Sequence, residues 1–193
     1  MPGRRLHAQD KARGNDVAGQ RGIALVEFAL ILPLLLSLVV GIAEFGLAFK
    51  DFLSVSNAAR EGARVAASAG NEPTADCSVR VHLAESFIAL NLTRLDRLEI
   101  FQANSNGDPI PGQINTYTYI GGDPANCSTS WTESVLWDPV TRNTITGPST
   151  QLDIIGIRVV YDHEWITNLG PFGGTWQFDQ TTITRLEPEA FGT

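Results

Sequence analysis

Gly22-Ile-Ala-Leu-Val-Glu-Phe-Ala-Leu-Ile-Leu-Pro-Leu-Leu-Leu-Ser-Leu-Val-Val-Gly-Ile-Ala43 is the stretch on which the fold turns. From Phe28 to Ala43 sixteen residues pass without a charge, and between Ile23 and Phe49 only Glu27 and Glu44 interrupt. A helix of about 20 residues, rising about 1.5 Å each, crosses a hydrocarbon core of about 30 Å, and Ile23–Ala43 meets that length. A cleavable secretory signal would have a shorter apolar core, about 7–15 residues, closed by a small-x-small site. Here Glu44-Phe45 follows instead, and the helical pattern continues. The expectation is a membrane anchor.

The charges divide around this run. Residues 1–22 carry Arg4, Arg5, Lys11, Arg13 and Arg21 against Asp10 and Asp16, a net of +3. Residues 71–193 carry six arginines and fifteen carboxylates, a net of −9. Basic residues before a span and an acidic domain after it predict a cytoplasmic N-terminus. The domain reading is therefore a basic cytoplasmic leader at 1–22 and a transmembrane helix at 23–49. Residues 50–70 continue that helix outside, and 71–193 form an extracytoplasmic domain, one modest core in a chain of 193 residues. No basic stripe is present to displace counterions from phosphates, so nucleic acid is not an expected partner. Cys77 and Cys127 both fall in the domain placed outside, where an oxidising compartment permits a structural disulfide. The alternative is two unrelated buried thiols. Their spacing is far too wide for a C-x-x-C motif.

Glu27 is the anomaly of the span. A carboxylate at a helix centre costs about 2.5–3.5 kcal/mol to insert, and is usually functional. Near the cytoplasmic end it could simply snorkel to the headgroups. Its spacing from Gly22 separates the two readings. Gly22, four residues, then Glu27-Phe28 at the head of a long apolar helix resembles the processing site of type IV-like prepilins, in the Glu-aromatic form of the tight-adherence (Flp/Tad) branch. The likeness extends from Gly22 to Ala69 through Ala24-Leu-Val-Glu-Phe-Ala-Leu30, Leu32-Pro-Leu-Leu-Leu36, Gly41-Ile-Ala-Glu-Phe-Gly46 and Asn57-Ala-Ala-Arg-Glu-Gly-Ala-Arg64. Thr182-Ile-Thr-Arg-Leu-Glu-Pro188 is similar to the C-terminal strand of the same family. The chain thus resembles the TadE-like minor pseudopilins of pilus assembly.

The resemblance implies a membrane aspartyl prepilin peptidase that cuts on the cytoplasmic side between Gly22 and Ile23. Glu27 becomes the fifth mature residue and Phe28 the sixth. It also implies residence in the inner membrane or in a fibre, with other pilins and Tad assembly proteins as partners. The chemistry agrees, because glycine lets an extended backbone enter a protease cleft. The new ammonium on Ile23 is a cation that Glu27 of a neighbouring subunit could meet. The runner-up is an unprocessed bitopic envelope protein whose outer domain binds another envelope component.

Beyond the charge-free run the reading is α+β, a long N-terminal helix packed on a small antiparallel sheet with a second short helix. Pro33 removes one helical hydrogen bond and crowds the carbonyl of Ala29, predicting a kink, with Ser37 or a neighbouring helix able to satisfy the freed group. Ala58, Ala59, Gly62, Ala63, Ala66 and Ala69 recur near every third or fourth position. This small-residue stripe is expected against the protein's own sheet rather than another helix. Gly70-Asn-Glu-Pro73 should stop the helix, and Val79, Leu83, Phe87 and Leu90 suggest a second one over 76–90. Strands are expected at 98–102, 116–120, 152–161 and 175–186, in a sheet of three to five, with a turn at 170–174. Residues 121–150, with Trp131 and Trp137, read as a long surface excursion.

No catalytic constellation can be read, since His7, His82 and His163 are scattered. No cofactor, metal or small-molecule substrate is expected, and no enzymatic role. His163-Glu164 beside Asp162 reads as a solvated strand end rather than half a metal site. Asn104, Asn106 and Asp108 lack the closing Glu of a calcium loop and read as turn chemistry. Trp131, Trp137, Trp165 and Trp176 suit a core or a partner surface equally.

Overall fold

A computed structural model describes residues 6–87, 90–145, 151–167 and 173–188, with side chains from Gly22 onward. It contains two units, Met1–Gly46 and Leu47–Thr193. Helix α1 spans Leu6–Ala69. In the first unit every side chain from Gly22 to Ile31 is exposed, although most are apolar. Such a surface is stable only in an apolar solvent. This helix is long and apolar enough to cross a membrane, and it gives a membrane-anchored protein. Pro33 lies inside α1 without ending it. Ser37 does not take over the carbonyl of Ala29, because its hydroxyl donates to the Leu34 carbonyl at 2.8 Å.

In the second unit, α1 is followed by α2 (Ala75–Ser86) and five strands: β1 (Leu95–Ala103), β2 (Pro109–Tyr119), β3 (Trp131–Ser134), β4 (Ile154–Glu164) and β5 (Thr175–Arg185). The sheet order is β3-β2-β1-β4-β5, antiparallel at every pairing. The α+β reading therefore holds, with five strands. Ala58, Ala59, Ala63 and Ala66 of α1 are buried in one core with Leu98 and Ile100 of β1 and Ile155, Ile157 and Val159 of β4. Small side chains let the helix axis come close to the sheet. A Cβ on Gly62 would already meet Ile157 Cγ2 at 3.3 Å. The stripe faces the protein's own sheet, as expected.

Gly70 ends α1 with φ of 55°, the left-handed conformation that glycine adopts without steric cost. Helix α2 stops at Ser86, short of the expected end near Leu90, yet Phe87 remains in the core. Strand β2 begins at Pro109, seven residues before the alternating Thr116-Tyr-Thr-Tyr-Ile run suggested. Its first half pairs with β1 alone, since β3 covers only Thr116–Tyr119, and a strand edge tolerates Pro111. The β1–β2 turn is Asx chemistry: Asn104 Oδ1 accepts the backbone N–H groups of Asn106 and Asp108, each at 2.9 Å. On the outer sheet face the Phe101 ring lies over Gly156, leaving no room there for a Cβ, and Val160 of β4 is buried on the same face. Of the turn expected at 170–174, residues 170–172 lie outside the described residues.

The surface excursion expected at 121–150 is corrected for its described part, residues 121–145, which holds edge strand β3 and buries Trp131, Trp137, Arg142 and Thr144; residues 146–150 lie outside the described residues. Polar composition hid this, because what buries the segment is a hydrogen-bonded network rather than an apolar run.

Candidate functional site

The residues singled out around the membrane segment lie in the first unit. Gly22, Ile23, Val26, Glu27 and Leu30 share one face of α1, around the notch left by the missing side chain of Gly22. Ile23 and Glu27 are four apart, so one turn of helix separates them on that face. Glu27 and Phe28 are both exposed. A Cβ built on Gly22 meets nothing within 4 Å. Among the described residues nothing occupies the place of its missing side chain, while a glycine inside a helix costs about 1 kcal/mol relative to alanine. The leader's side chains lie outside the described residues.

In the second unit, Cys77 and Cys127 form a disulfide with Cα atoms 5.8 Å apart. It joins α2 to the segment before β3 and borders the most polar part of the interior. Asp76, next to Cys77, sits in the first turn of α2 but turns inward rather than capping the helix. Its Oδ2 accepts from the Tyr117 hydroxyl at 2.6 Å and from Asn115 Nδ2 at 2.8 Å. Its Oδ1 accepts from Arg142 Nη2 at 2.5 Å. The Arg142 guanidinium lies 4.5 Å from the centre of the Trp137 ring, and that of Arg80 lies 4.3 Å from the Tyr117 ring. Asn115 Oδ1 accepts the backbone N–H of Leu136 and of Trp137, at 2.9 and 2.7 Å. Arg80 Nη1 donates to the Cys127 carbonyl at 3.2 Å. Burial, reinforced by the neighbouring Asp76 carboxylate, pushes the Tyr117 hydroxyl well above its ordinary range.

This network joins α2, β2 and the 135–142 segment. Being buried, it clamps the fold and offers no open surface to a ligand. Sequence reading missed Asp76, Asn115 and Arg142 as a group. The only sequence signal was an arginine placed five residues after a tryptophan in an otherwise polar loop.

A third cluster joins α1 to the end of the β4–β5 hairpin. His163 is buried, not a solvated strand end: its Nδ1 lies 2.8 Å from Asp51 Oδ2 on α1. A carboxylate only accepts, so Nδ1 carries the proton. The ring stands edge-on to Trp165, with centroids 5.0 Å apart. Among the described residues, no three of His, Cys, Asp and Glu are placed to hold a metal ion. Of the four tryptophans, Trp131, Trp137 and Trp165 are buried and Trp176 is half exposed.

Residues 22–64 match the family model of the TadE-like protein, and the match begins at Gly22. No curated protein and no solved structure matches the chain. The matched residues lie wholly on α1 and cover the smaller part of the 193-residue chain.

Proposed function

We propose that this TadE-like chain is a minor pilin or pseudopilin of a Tad/Flp (type IV-like) pilus or secretion apparatus. A prepilin peptidase cuts it after Gly22, and it acts in assembly rather than catalysis, with no cofactor or small-molecule substrate. It sits in the inner membrane with its C-terminal domain outside, and other pilins and Tad assembly proteins are its partners. The observation that carries this reading is Gly22 itself. It opens the family match and precedes Glu27-Phe28 by the prepilin interval.

The geometry also bears on how cutting would proceed. Helix α1 runs through Gly22, and a peptidase cleft takes an extended backbone. Glycine lowers the cost of unwinding that turn by about 1 kcal/mol relative to alanine. The second reading is an uncut bitopic anchor, which would keep the same continuous helix. Intact-mass measurement of protein extracted from its native membrane separates the two. Loss of residues 1–22 supports the pilin, and a retained leader supports the unprocessed anchor.

A further inference from the structure

The sheet has two edges, and the chain treats them differently. At one, β3 is only four residues long, and the part of β2 that it leaves uncovered carries Pro109, Pro111 and Gly112. Short strands and prolines keep an open edge from pairing with another chain. At the other edge, β5 runs for 11 residues as Thr175-Trp-Gln-Phe-Asp-Gln-Thr-Thr-Ile-Thr-Arg185, without proline, glycine or lysine. Its register with β4 is unbroken from Ile154 opposite Arg185 to Glu164 opposite Thr175, whereas both pairings of β1 shift once along their length. Among the described residues only β4 is hydrogen-bonded to β5 in the sheet, and no residue of β5 is buried. Alternate residues along such an edge point their N–H and C=O groups outward as a template for another strand.

The charges of β5 select the occupant. Its two charged side chains, Asp179 and Arg185, are six residues apart and so lie on one face, the outer face that also holds Arg158. A second β5 laid antiparallel about a two-fold axis through Thr182 brings Asp179 of each copy opposite Arg185 of the other. Directly opposed side chains share a face, with Cβ atoms about 4.5–5.5 Å apart. Moving the axis one residue, to Thr181, sets Asp179 against Ile183 and Arg185 against Gln177, and both ion pairs are lost. Asp179 Oδ1 already accepts from Arg158 Nε at 2.8 Å, but a carboxylate has about four acceptor sites and can take a second arginine without releasing the first. The same axis lays Ile183, 42% exposed, beside Thr181 of the other copy. A two-fold pair of this kind closes on itself and uses up the open edge.

We propose that β5 pairs with β5 of a second copy of this chain, antiparallel about Thr182, so that two sheets join through their unguarded edges. The Asp179–Arg185 pairs fix the register, which a strand rich in Thr and Gln specifies weakly by itself. The pairing involves the second unit alone and applies equally to a cut and an uncut chain.

The test is cysteine cross-linking of the full chain in detergent, where the native cysteines are already joined to each other. Opposed Cα atoms in an antiparallel pair lie about 4.5–5.5 Å apart, within the range a disulfide spans. Thr182→Cys, on the axis, is expected to give a covalent dimer under mild oxidation. Gln177→Cys lies opposite Glu187 in this register, about 33 Å from its own counterpart, and should stay monomeric. Arg185→Asp sets like charges against Asp179 and should cut the Thr182→Cys yield several-fold, while Arg185→Lys should preserve it. Thr181→Cys co-expressed with Ile183→Cys repeats the test on the exposed face, with mixed dimers expected over like ones. Thr182→Cys and the mixed pair both remaining monomeric would overturn the proposal. Cross-linking at Gln177 as strong as at Thr182 would overturn it too, as would a yield that Arg185→Asp leaves unchanged, because either result assigns the contact to another surface or register.

Discussion

Arg142 Nη2 stands 2.5 Å from Asp76 Oδ1 with both side chains shut away from solvent. Removing one partner of a buried ion pair leaves the other charge uncompensated, typically at about 3–5 kcal/mol. Asp76→Ala is expected to lose that much, because Arg142, Asn115 and Tyr117 all lose an acceptor together. Asp76→Ala combined with Arg142→Met should cost less than the two single changes summed, since no buried charge is then stranded. Denaturant unfolding of the detergent-solubilised chain, followed by tryptophan fluorescence, measures both. A fully additive double variant would show that the two residues do not act as a pair.

The Cys77–Cys127 bond closes a loop with a sequence separation of 50. In the chain-entropy model such a loop stabilises the fold by about 4 kcal/mol. Protein from its native compartment should resist alkylation until reductant is added. Reduction should then lower the unfolding free energy by an amount of that order. Two thiols labelled without reductant would show the bond absent in the cell.

How much of this was legible depended on range. The long apolar helix, the small-residue face of α1 and the glycine stop at Gly70 all rest on patterns within a few turns, and each is found where the pattern put it. Strand β4 could be recognised because it lies between β1 and β5 and is apolar over most of its length. The Asp76 network could not, because its members come from residues 76, 115 and 142, and no local pattern marks a polar side chain as buried. His163 failed for the same reason. Its partner Asp51 lies 112 residues away on α1, so a His-Glu pair at a strand end looked solvated.

A small pH effect is expected from the outer sheet face. The hydrogen bond from Arg158 holds the Asp179 carboxyl below the usual carboxylate range. A carboxyl whose folded pKa is depressed binds fewer protons folded than unfolded, so its contribution is present above the unfolded value and lost as pH falls through the folded one. The window is below about pH 4. Both side chains are partly exposed, which limits the contribution to about 1 kcal/mol or less. Asp179→Asn should be slightly less stable than wild type at pH 7 and converge with it near pH 2. Equal stability of the two at pH 7 would show that the pair contributes nothing.

Processing turns on Gly22. A leucine there meets no steric obstacle in the folded chain, since nothing lies within 4 Å of its Cβ position. Gly22→Leu should therefore insert and fold normally. The bulkier side chain should nevertheless keep the backbone out of a peptidase cleft, leaving a product longer by residues 1–22. Intact mass reads the result, and a wild-type N-terminus at Ile23 would place the cut site elsewhere.

Glu27 separates processing from assembly. Cutting after Gly22 would replace a basic leader by one ammonium on Ile23, one helical turn from Glu27 in the same chain. A like helix docking alongside would bring its own Glu27 near that ammonium, where low dielectric strengthens the attraction. Neither charge is stable alone in lipid, so the pair would fix the register of docking more than it would add affinity. In the folded chain Glu27 is exposed on α1, which leaves it accessible to a neighbour. Glu27→Gln keeps the size and most of the hydrogen bonding but removes the charge. The variant should still be inserted and cut after Gly22, yet lose co-purification with pilins and fibre formation. Intact mass reads the first outcome, while affinity purification from membranes and electron microscopy of fibres read the second. Co-purification and fibres at wild-type yield would show that Glu27 only reaches toward the headgroups.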